Sequence, residues 1–227
     1  MMAWYLAAAV TAAGVDWWAL NRENKKIGNF TKPAVILCLI LGVWVNMDIS
    51  PGGMPFWFLI GLVFSLAGDI VFLLPGDRFL AGLSLFLGTH IAYIIGFDVT
   101  PIPDDVTGAA AFLGVLVAVF SGWAVSIFWR AARSSENAKM AYAVILYILV
   151  LGGMLYAGLF RFIDPVWNGA AAYLSAFGAL AFGFSDLVLG LNRFVKKIDR
   201  AKQKIRIYYQ LGQLGIIAGM WLAAFAA

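Results

Sequence analysis

The sequence predicts an all-α polytopic membrane protein that forms one domain, residues 1–227, with eight transmembrane helices. Three observations predict this class. The chain of 227 residues is 63% hydrophobic and 12% charged, with a mean hydropathy of +0.89, which is typical of integral membrane proteins. Apolar segments of about 20 residues, the length that crosses the hydrocarbon core, recur along the chain. Proline, glycine and charged residues separate these segments.

Eight segments satisfy the length criterion for a transmembrane helix. In order, they are 4–20, 33–49, 55–74, 79–97, 107–129, 138–158, 168–190 and 206–226. Helix-breaking residues mark the boundaries: Lys32-Pro33, Pro51-Gly52-Gly53, Pro75-Gly76-Asp77, Pro101 to Pro103, and Asp164-Pro165. The first segment has no cationic region before it and no convincing cleavage motif after it, so we expect it to be retained as a span.

The basic residues predict the orientation of these spans. Of the 16 Lys and Arg residues, only Arg161 falls in the second, fourth or sixth connection, and the others lie in the odd-numbered connections and their flanks. Positively charged connections stay in the cytosol. We therefore expect both termini on the non-cytoplasmic side of the membrane.

Asp69 and Asp186 are the candidate catalytic residues. Each lies six residues before a polar hinge, at Pro75 or Asn192, and therefore about 9 Å inside its helix end. A carboxylate in hydrocarbon costs much free energy, so such residues usually have a function. If the two carboxyls meet, one can stay protonated beside an ionised neighbour, as acid–base catalysis requires. The structural alternative is that each acid pairs with a Lys or Arg reaching from the loops.

The segments around the two aspartates also predict an internal repeat. Asp69 and Arg78 recur as Asp186 and Arg193, at offsets of 117 and 115 residues. Units of four spans preserve orientation, so the repeat would be a parallel four-plus-four arrangement about an axis along the membrane normal. That symmetry would bring the two acids to face each other across a central cavity, although so short a match can also arise by chance.

Further polar residues are candidates for binding a substrate. His90 and Tyr93 share one face of the fourth span, where a histidine could orient water or simply be satisfied by a neighbouring hydroxyl. Arg78, Arg193 and Lys32 lie at the predicted cytosolic rim, where they could bind a phosphate or merely anionic headgroups. Two more candidates for substrate binding are Asn192, next to Arg193, and Tyr142, near the inner end of the sixth span, where polar residues often only join helices by hydrogen bonds.

The chain resembles the YhhN family of eight-span membrane proteins, which includes lysoplasmalogenases. The resemblance rests on the following residues: Thr31-Lys32-Pro33; Gly68-Asp69; Leu74-Pro75-Gly76-Asp77-Arg78-Phe79; His90 and Tyr93; Tyr142; Ser185-Asp186; and Asn192-Arg193-Phe194. It implies hydrolysis of the vinyl ether bond of a lysoplasmalogen, to a fatty aldehyde and glycerophosphoethanolamine or glycerophosphocholine. The expected partners are a lysophospholipid substrate and membrane lipids. Composition and resemblance together favour the inner (cell) membrane of a bacterium.

Other classes of function are less favoured. With one cysteine, Cys38, and one histidine, the chain cannot form an intrachain disulfide or a multi-histidine zinc site, and we expect no cofactor or metal. The net charge of +4 comes from the connections, so we expect no nucleic-acid partner. The alternative function is a proton-coupled transporter of a small or lipid-like solute, because carriers also use intramembrane acids. A purely structural membrane protein would leave the paired motifs unexplained.

Overall fold

A computed structural model describes residues 2–98, 102–133, 138–164, 167 and 169–226. Eight α-helices lie within these residues. In chain order, they are α1 (Met2–Asn21), α2 (Lys25–Asn46), α3 (Met54–Val71), α4 (Phe79–Phe97), α5 (Thr107–Arg133), α6 (Ala138–Phe160), α7 (Gly169–Gly190) and α8 (Ala201–Ala226). A short 3-10 helix, Asp104–Val106, leads into α5, and a π-helical segment, Leu191–Val195, continues α7. The prediction of an all-helical protein is confirmed for the described residues.

Six of the helices in the described part, α2 to α7, are long and apolar enough to cross a membrane. This finding supports an integral membrane protein. The remaining two, α1 and α8, are long enough but do not belong to this group; α1 contains Asp16, and α8 contains Lys202, Lys204 and Arg206. The count of eight spans and the four-plus-four repeat therefore stay predictions.

The start of α2 differs from the sequence prediction. We expected a break at Lys32-Pro33, but the helix begins at Lys25, and the side chain of Asn24 accepts a hydrogen bond of 3.2 Å from the backbone N–H of Ile27. Proline removes one helical hydrogen bond without always ending a helix, because the remaining bonds hold the turns on either side. As a result Lys32 lies within a regular helix rather than in a loop.

The bundle is organised around α8, which packs against α1, α2, α3 and α7. Its contact with α7 is close because both helices present glycines. A Cβ on Gly178 would lie only 2.4 Å from the backbone nitrogen of Ile216, and one on Gly212 would lie 2.7 Å from that of Phe182. Small residues allow helices in membranes to approach closely. This contact brings the polar residues of α8 next to the end of α7 that carries Asp186.

Candidate active site

A cavity of about 340 Å³ lies between α2, α3, α4, α7 and α8. Its polar lining residues come from the first three turns of α2 and α8, the last two turns of α3 and α7, and the π-helical segment. The cavity therefore lies at the end of the bundle that holds the α3–α4 and α7–α8 connections. We call it the polar cavity. Its polar lining residues are Asn29, Lys32, Asp69, Ser185, Asp186, Asn192, Lys202, Arg206 and Tyr209. Both candidate aspartates therefore line one cavity.

The carboxyl of Asp69 is fully buried and has two partners. Its Oδ1 lies 2.7 Å from Nζ of Lys32, and its Oδ2 accepts a hydrogen bond of 3.1 Å from the hydroxyl of Tyr209. The structural alternative foresaw such an ion pair with a lysine. Because Lys32 and Tyr209 also line the polar cavity, the pair is both a helix–helix contact and part of the cavity wall.

The carboxyl of Asp186 has different partners, which come from α4 and α6. Its Oδ2 lies 2.9 Å from Nε2 of His90 and accepts a hydrogen bond of 2.8 Å from the hydroxyl of Tyr147. Both contacts end on Oδ2, and no hydrogen bond from the described residues reaches Oδ1. Asp186 therefore has one oxygen held by His90 and Tyr147 and one without a hydrogen bond from the described residues.

The surroundings of His90 favour one tautomer of its ring. The ring is fully buried, and its Nδ1 has no hydrogen-bond partner among the described residues. A proton on Nδ1 would be a buried donor without an acceptor, which is costly. A proton on Nε2 would instead point toward Asp186, which can accept it.

An apolar crevice of about 50 Å³ meets the polar cavity at Asp186. Aromatic and aliphatic side chains of α4, α5, α6, α7 and the π-helical segment line it, and Asp186 and Leu189 belong to both walls. The crevice continues into a lateral groove of about 330 Å³ between α5, α6 and α7. Crevice and groove share four residues: Phe120, Leu155, Gly183 and Leu187. Since Phe120 and Phe184 are exposed on the outside of the bundle, the groove opens sideways.

Comparison with known proteins identifies the family of this chain. The model of the YhhN family matches residues 28–220, a stretch that includes every residue lining the polar cavity. The chain belongs to the YhhN family.

Its curated relatives include proteins named lysoplasmalogenase. Lysoplasmalogenase TMEM86B of Mus musculus is 30% identical over 201 residues, which cover 88% of this chain and 78% of the mouse protein. Lysoplasmalogenase TMEM86A of Homo sapiens is 30% identical over 160 residues, or 68% of this chain and 61% of the human protein. The lysoplasmalogenase of Mycobacterium bovis is 23% identical over 167 residues, or 73% of this chain and 60% of that protein. No solved structure matches the chain.

In this YhhN chain, Tyr142, a predicted substrate-binding residue, lies apart from the two aspartates. Its side chain is 66% exposed and packs edge-on against Trp129, away from the polar cavity and the crevice. The tyrosine of α6 that reaches an aspartate is Tyr147, five residues further along. Five residues turn the chain about 140° beyond one full helical turn, so the two tyrosines face different directions.

Tyr93 also lies outside the cavity. Its hydroxyl is buried and donates to Oε1 of Gln213, whose Nε2 donates a hydrogen bond of 2.7 Å to Ser65. Ser65 and Thr89 share a further hydrogen bond of 3.0 Å. This polar network joins α3, α4 and α8 in the core, and its hydrogen bonds hold the three helices together.

The two arginines of the repeated motif are likewise not at the cavity. Arg78 is exposed and its Nε donates a hydrogen bond of 3.3 Å to the backbone carbonyl of Pro75. Arg193 pairs with Asp77 and lies over the ring of Phe79, 5.1 Å from its centroid. The hydrogen bond from Arg193 lowers the pKa of Asp77, and a bond from the backbone of Phe79 adds to this effect. Arg78 and Arg193 therefore lie outside the polar cavity, and their predicted phosphate role stays a prediction.

Asn192 and Lys32 do line the polar cavity. The Oδ1 of Asn192 also accepts a hydrogen bond of 3.0 Å from the backbone N–H of Ile198, which ties the π-helical segment to the α7–α8 connection. π-Helical segments inside or after α-helices frequently occur at functional sites. Among the residues that the structure describes, no three His, Cys, Asp or Glu side chains are grouped closely enough to hold a metal ion.

Sequence reasoning missed the contribution of α8 to the cavity. Arg206 and Tyr209 line it, and Gln210 and Gln213 lie on the same face of the helix, at offsets of four and seven residues from Arg206. That polar stripe was the available signal. Arg206 donates a hydrogen bond of 2.9 Å to Asp16, another buried acid, which does not line the polar cavity.

Proposed function

We propose that this protein is a lysoplasmalogenase, which hydrolyses the vinyl ether bond of a lysoplasmalogen to a fatty aldehyde and glycerophosphoethanolamine or glycerophosphocholine. Relatives with that name, at 23% to 30% identity, support a hydrolase of this class. The observation that carries the proposal is the position of Asp186, at the junction of a polar cavity with an apolar crevice. A lysolipid has the same division, since its polar headgroup and apolar chain meet at the vinyl ether.

The cavities indicate how the substrate would lie. The glycerophospho group would occupy the polar cavity, and the hydrocarbon chain would follow the apolar crevice into the lateral groove. The vinyl ether would then lie beside Asp186. Because the groove opens sideways between α5 and α7, the lipid could enter from the membrane without leaving it.

This placement gives the two carboxyls different roles. Acid cleavage of a vinyl ether begins with protonation of the β-carbon, the vinyl carbon that is attached to the hydrocarbon chain. Asp186 lies on the chain side of the site, and its Oδ1 has no partner among the described residues, so it would donate this proton. Donation leaves a carboxylate whose Oδ2 already accepts bonds from Tyr147 and His90, which stabilise the negative charge.

Asp69 would act on the headgroup side. Protonation of the β-carbon forms an oxocarbenium ion at the α-carbon, and a negative carboxylate nearby stabilises this cation, as in glycoside hydrolases. Lys32, at 2.7 Å, favours the ionised form of Asp69. Water would add to the α-carbon and give one proton to Asp69, which produces a hemiacetal.

The remaining steps restore both acids. The hemiacetal carbon–oxygen bond to glycerol breaks as Asp69 returns its proton to the leaving oxygen. The hemiacetal hydroxyl gives its proton to Asp186 as the aldehyde forms. One water is consumed, and the steps use only the two carboxyls as proton carriers.

Several features of location and architecture belong to the same proposal. We place the protein in the inner membrane of a bacterium, as one domain over residues 1–227 with eight spans and both termini outside the cytosol. The polar cavity would then face the cytosolic leaflet, because it lies at the end with most of the Lys and Arg residues.

The test is mass spectrometry of a lysoplasmalogen incubated with the purified protein in detergent. We expect release of aldehyde, with no product from a lysolipid whose ether is saturated, because that lipid lacks the carbon that accepts the proton. Asp69→Asn and Asp186→Asn should each lower kcat by about 10² to 10⁴. Asp48→Asn, at an exposed acid outside the cavity, is the matched control and should keep full activity.

Two results would reject the proposal. One is near-normal turnover by either cavity variant when its thermal unfolding matches that of the wild type. The other is transport of a solute across proteoliposomes without any formation of aldehyde, which would favour the proton-coupled carrier.

A further inference from the structure

A second cavity adjoins the polar cavity at the same end of the bundle. It measures about 320 Å³ and lies between the α1–α2 turn, the start of α2 and the start of α8. We call it the basic cavity, because Lys25, Arg200, Lys202 and Arg206 line it beside a single acidic residue, Glu23. The two cavities share three residues: Asn29, Lys202 and Arg206. These three residues therefore form the junction between the cavities.

The junction carries positive charge that nearby acids do not balance. Lys32 is paired with Asp69, and Arg206 is paired with Asp16. Lys202, in contrast, has no carboxylate within 4.0 Å in the described part of the chain. Partial burial lowers the pKa of Lys202, and the neighbouring cations Arg206, Lys25 and Lys32 lower it further. An anion at the junction would relieve this repulsion.

Arg206 also has unused hydrogen-bond donors. Its contacts with Asp16, at 2.9 Å, and with the carbonyl of Gly28, at 3.2 Å, both end on Nη1. No hydrogen bond from Nε or Nη2 to the described residues is present. Because a guanidinium has five N–H donors, Arg206 can hold Asp16 and still bind a phosphate oxygen.

We propose that the phosphate of the lysophospholipid binds at this junction, between Lys202 and Arg206, with the side-chain amide of Asn29 as a further donor. The inference rests on the proposed function, which places the glycerol in the polar cavity. The headgroup beyond the phosphate then extends into the basic cavity. The ligand class is therefore a lysophospholipid that is recognised by its anionic phosphate.

The test measures binding rather than turnover, so that it does not depend on hydrolysis. The probe is a saturated alkyl-ether glycerophosphocholine, and the control probe is the matching alkylglycerol without phosphate. The variant is Lys202→Ala, because Lys202 has no ion-pair partner to lose. Lys204→Ala is the matched control, since Lys204 is exposed on the same helix, as Lys202 is, but lines neither cavity. Equilibrium binding of radiolabelled probe to the purified full-length protein in detergent gives each Kd.

We expect Lys202→Ala to raise the Kd of the phosphate-containing probe about tenfold, the effect of losing one hydrogen bond to a charged group. The Kd of the alkylglycerol should not change, and Lys204→Ala should behave as the wild type with both probes. Lys202→Glu should raise the Kd of the phosphate-containing probe further, because the new carboxylate repels the phosphate. An equal change for both probes, or no change with either Lys202 variant, would overturn the inference.

Two further measurements distinguish a lysolipid site from a site for free phosphate, and the phosphate site from the proposed hydrolysis. Inorganic phosphate is added as a competitor, and we expect it to displace the lysolipid only weakly because it has no chain to bury. Phosphate binding that depends on Lys202 while lysolipid binding does not would overturn the lipid assignment. If the lysolipid binds as expected but no aldehyde forms from a lysoplasmalogen, the proposed hydrolysis fails and the phosphate site stands.

Discussion

Tyr147 donates a hydrogen bond of 2.8 Å to Oδ2 of Asp186, the same oxygen that Nε2 of His90 approaches at 2.9 Å. The three groups come from α6, α7 and α4, so one carboxyl oxygen joins three helices. Its other oxygen remains available at the junction of the polar cavity and the apolar crevice. In the proposed reaction, Asp186 donates a proton from that oxygen, and Tyr147 and His90 position the carboxyl.

Tyr147→Phe should therefore lower kcat with little effect on KM. The variant keeps the buried ring and removes only the hydroxyl, so it withdraws one bond that stabilises the carboxylate formed by proton donation. The loss of one such bond is worth on the order of 1 to 2 kcal/mol, or roughly tenfold in rate. Aldehyde release under initial-rate conditions measures the effect.

Tyr142→Phe is the matched control for this substitution. It makes the same chemical change on the same helix, at an exposed position away from both cavities. We expect unchanged kinetics. Equal losses from the two variants would show that the hydroxyl of Tyr147 has no specific role, and a rise in KM alone would indicate a role in substrate binding instead.

Most of the helices could be predicted from the sequence, because the length of an apolar segment indicates whether it forms a long helix. The fourth span was predicted over 79–97, and α4 runs over Phe79–Phe97. The start of α2 was missed because Pro33 is a common helix breaker, and only the packing of the flanking turns shows that the helix continues through it.

Only some residues of the candidate site could be predicted from the sequence. Intramembrane acids are conspicuous, so Asp69 and Asp186 could be selected, and equal depth suggested that they meet in one cavity. Their partners could not be derived in the same way. Tyr147 and Tyr209 reach the acids because α6 and α8 pack beside α7 and α3, and a single sequence does not state which helices pack together. The cations at the cavity junction depend on the same packing.

Lys32→Met should destabilise the protein, because it leaves the carboxylate of Asp69 buried without its ion-pair partner. Breaking a buried pair by removing one member costs about 3 kcal/mol or more. The side chain of Lys32 is only 13% exposed and that of Asp69 is fully buried, so solvent screens the pair little. Thermal unfolding of the purified protein in detergent measures the loss. Lys26→Met, at an exposed position of the same helix, should have no comparable effect.

The double variant Lys32→Met with Asp69→Asn distinguishes the ion pair from simple packing. Removing both charges leaves no unpaired carboxylate, so the double variant should regain much of the stability that the single variant loses. A double variant as unstable as Lys32→Met would show that the lysine stabilises the bundle through its hydrocarbon stem instead.

Ala124→Leu should shorten the hydrocarbon chain that the protein accepts. Ala124 is buried in α5 and lines the apolar crevice, and a larger side chain there would fill space that the substrate chain needs. Overpacking of this kind typically costs 1 to 3 kcal/mol, so KM for long-chain lysoplasmalogens should rise roughly tenfold. Short-chain substrates should be affected less.

Ala118→Leu provides the control for this prediction. Ala118 lies on the same helix but is exposed and does not line the crevice. Its substitution should leave the preference for chain length unchanged. If Ala124→Leu raises KM equally for substrates of all chain lengths, the crevice does not hold the hydrocarbon chain, and the effect is a general loss of packing.

Asp77→Asn should lower stability slightly at neutral pH without changing kcat or KM. Asp77 pairs with Arg193, and neither residue lines the polar cavity. The hydrogen bond from Arg193 holds the pKa of Asp77 below its ordinary value, so the pair stabilises the folded state above the unfolded pKa of about 3.9. That contribution is lost as the pH falls through the lower, folded pKa. The stability difference between wild type and variant should therefore shrink in acid.

Asparagine isolates the charge in this comparison, because its Oδ1 can still accept the hydrogen bond of 3.1 Å from the backbone N–H of Phe79 at the start of α4. Both partners are exposed, so added salt should also reduce the stability difference between wild type and Asp77→Asn.

Arg193→Gln should lose the same interaction, and combining the two substitutions should add little further loss from this ion pair. Thermal unfolding across pH and ionic strength measures these effects. A difference that persists at low pH and high salt would show that Asp77 stabilises the α3–α4 connection by its shape rather than by its charge.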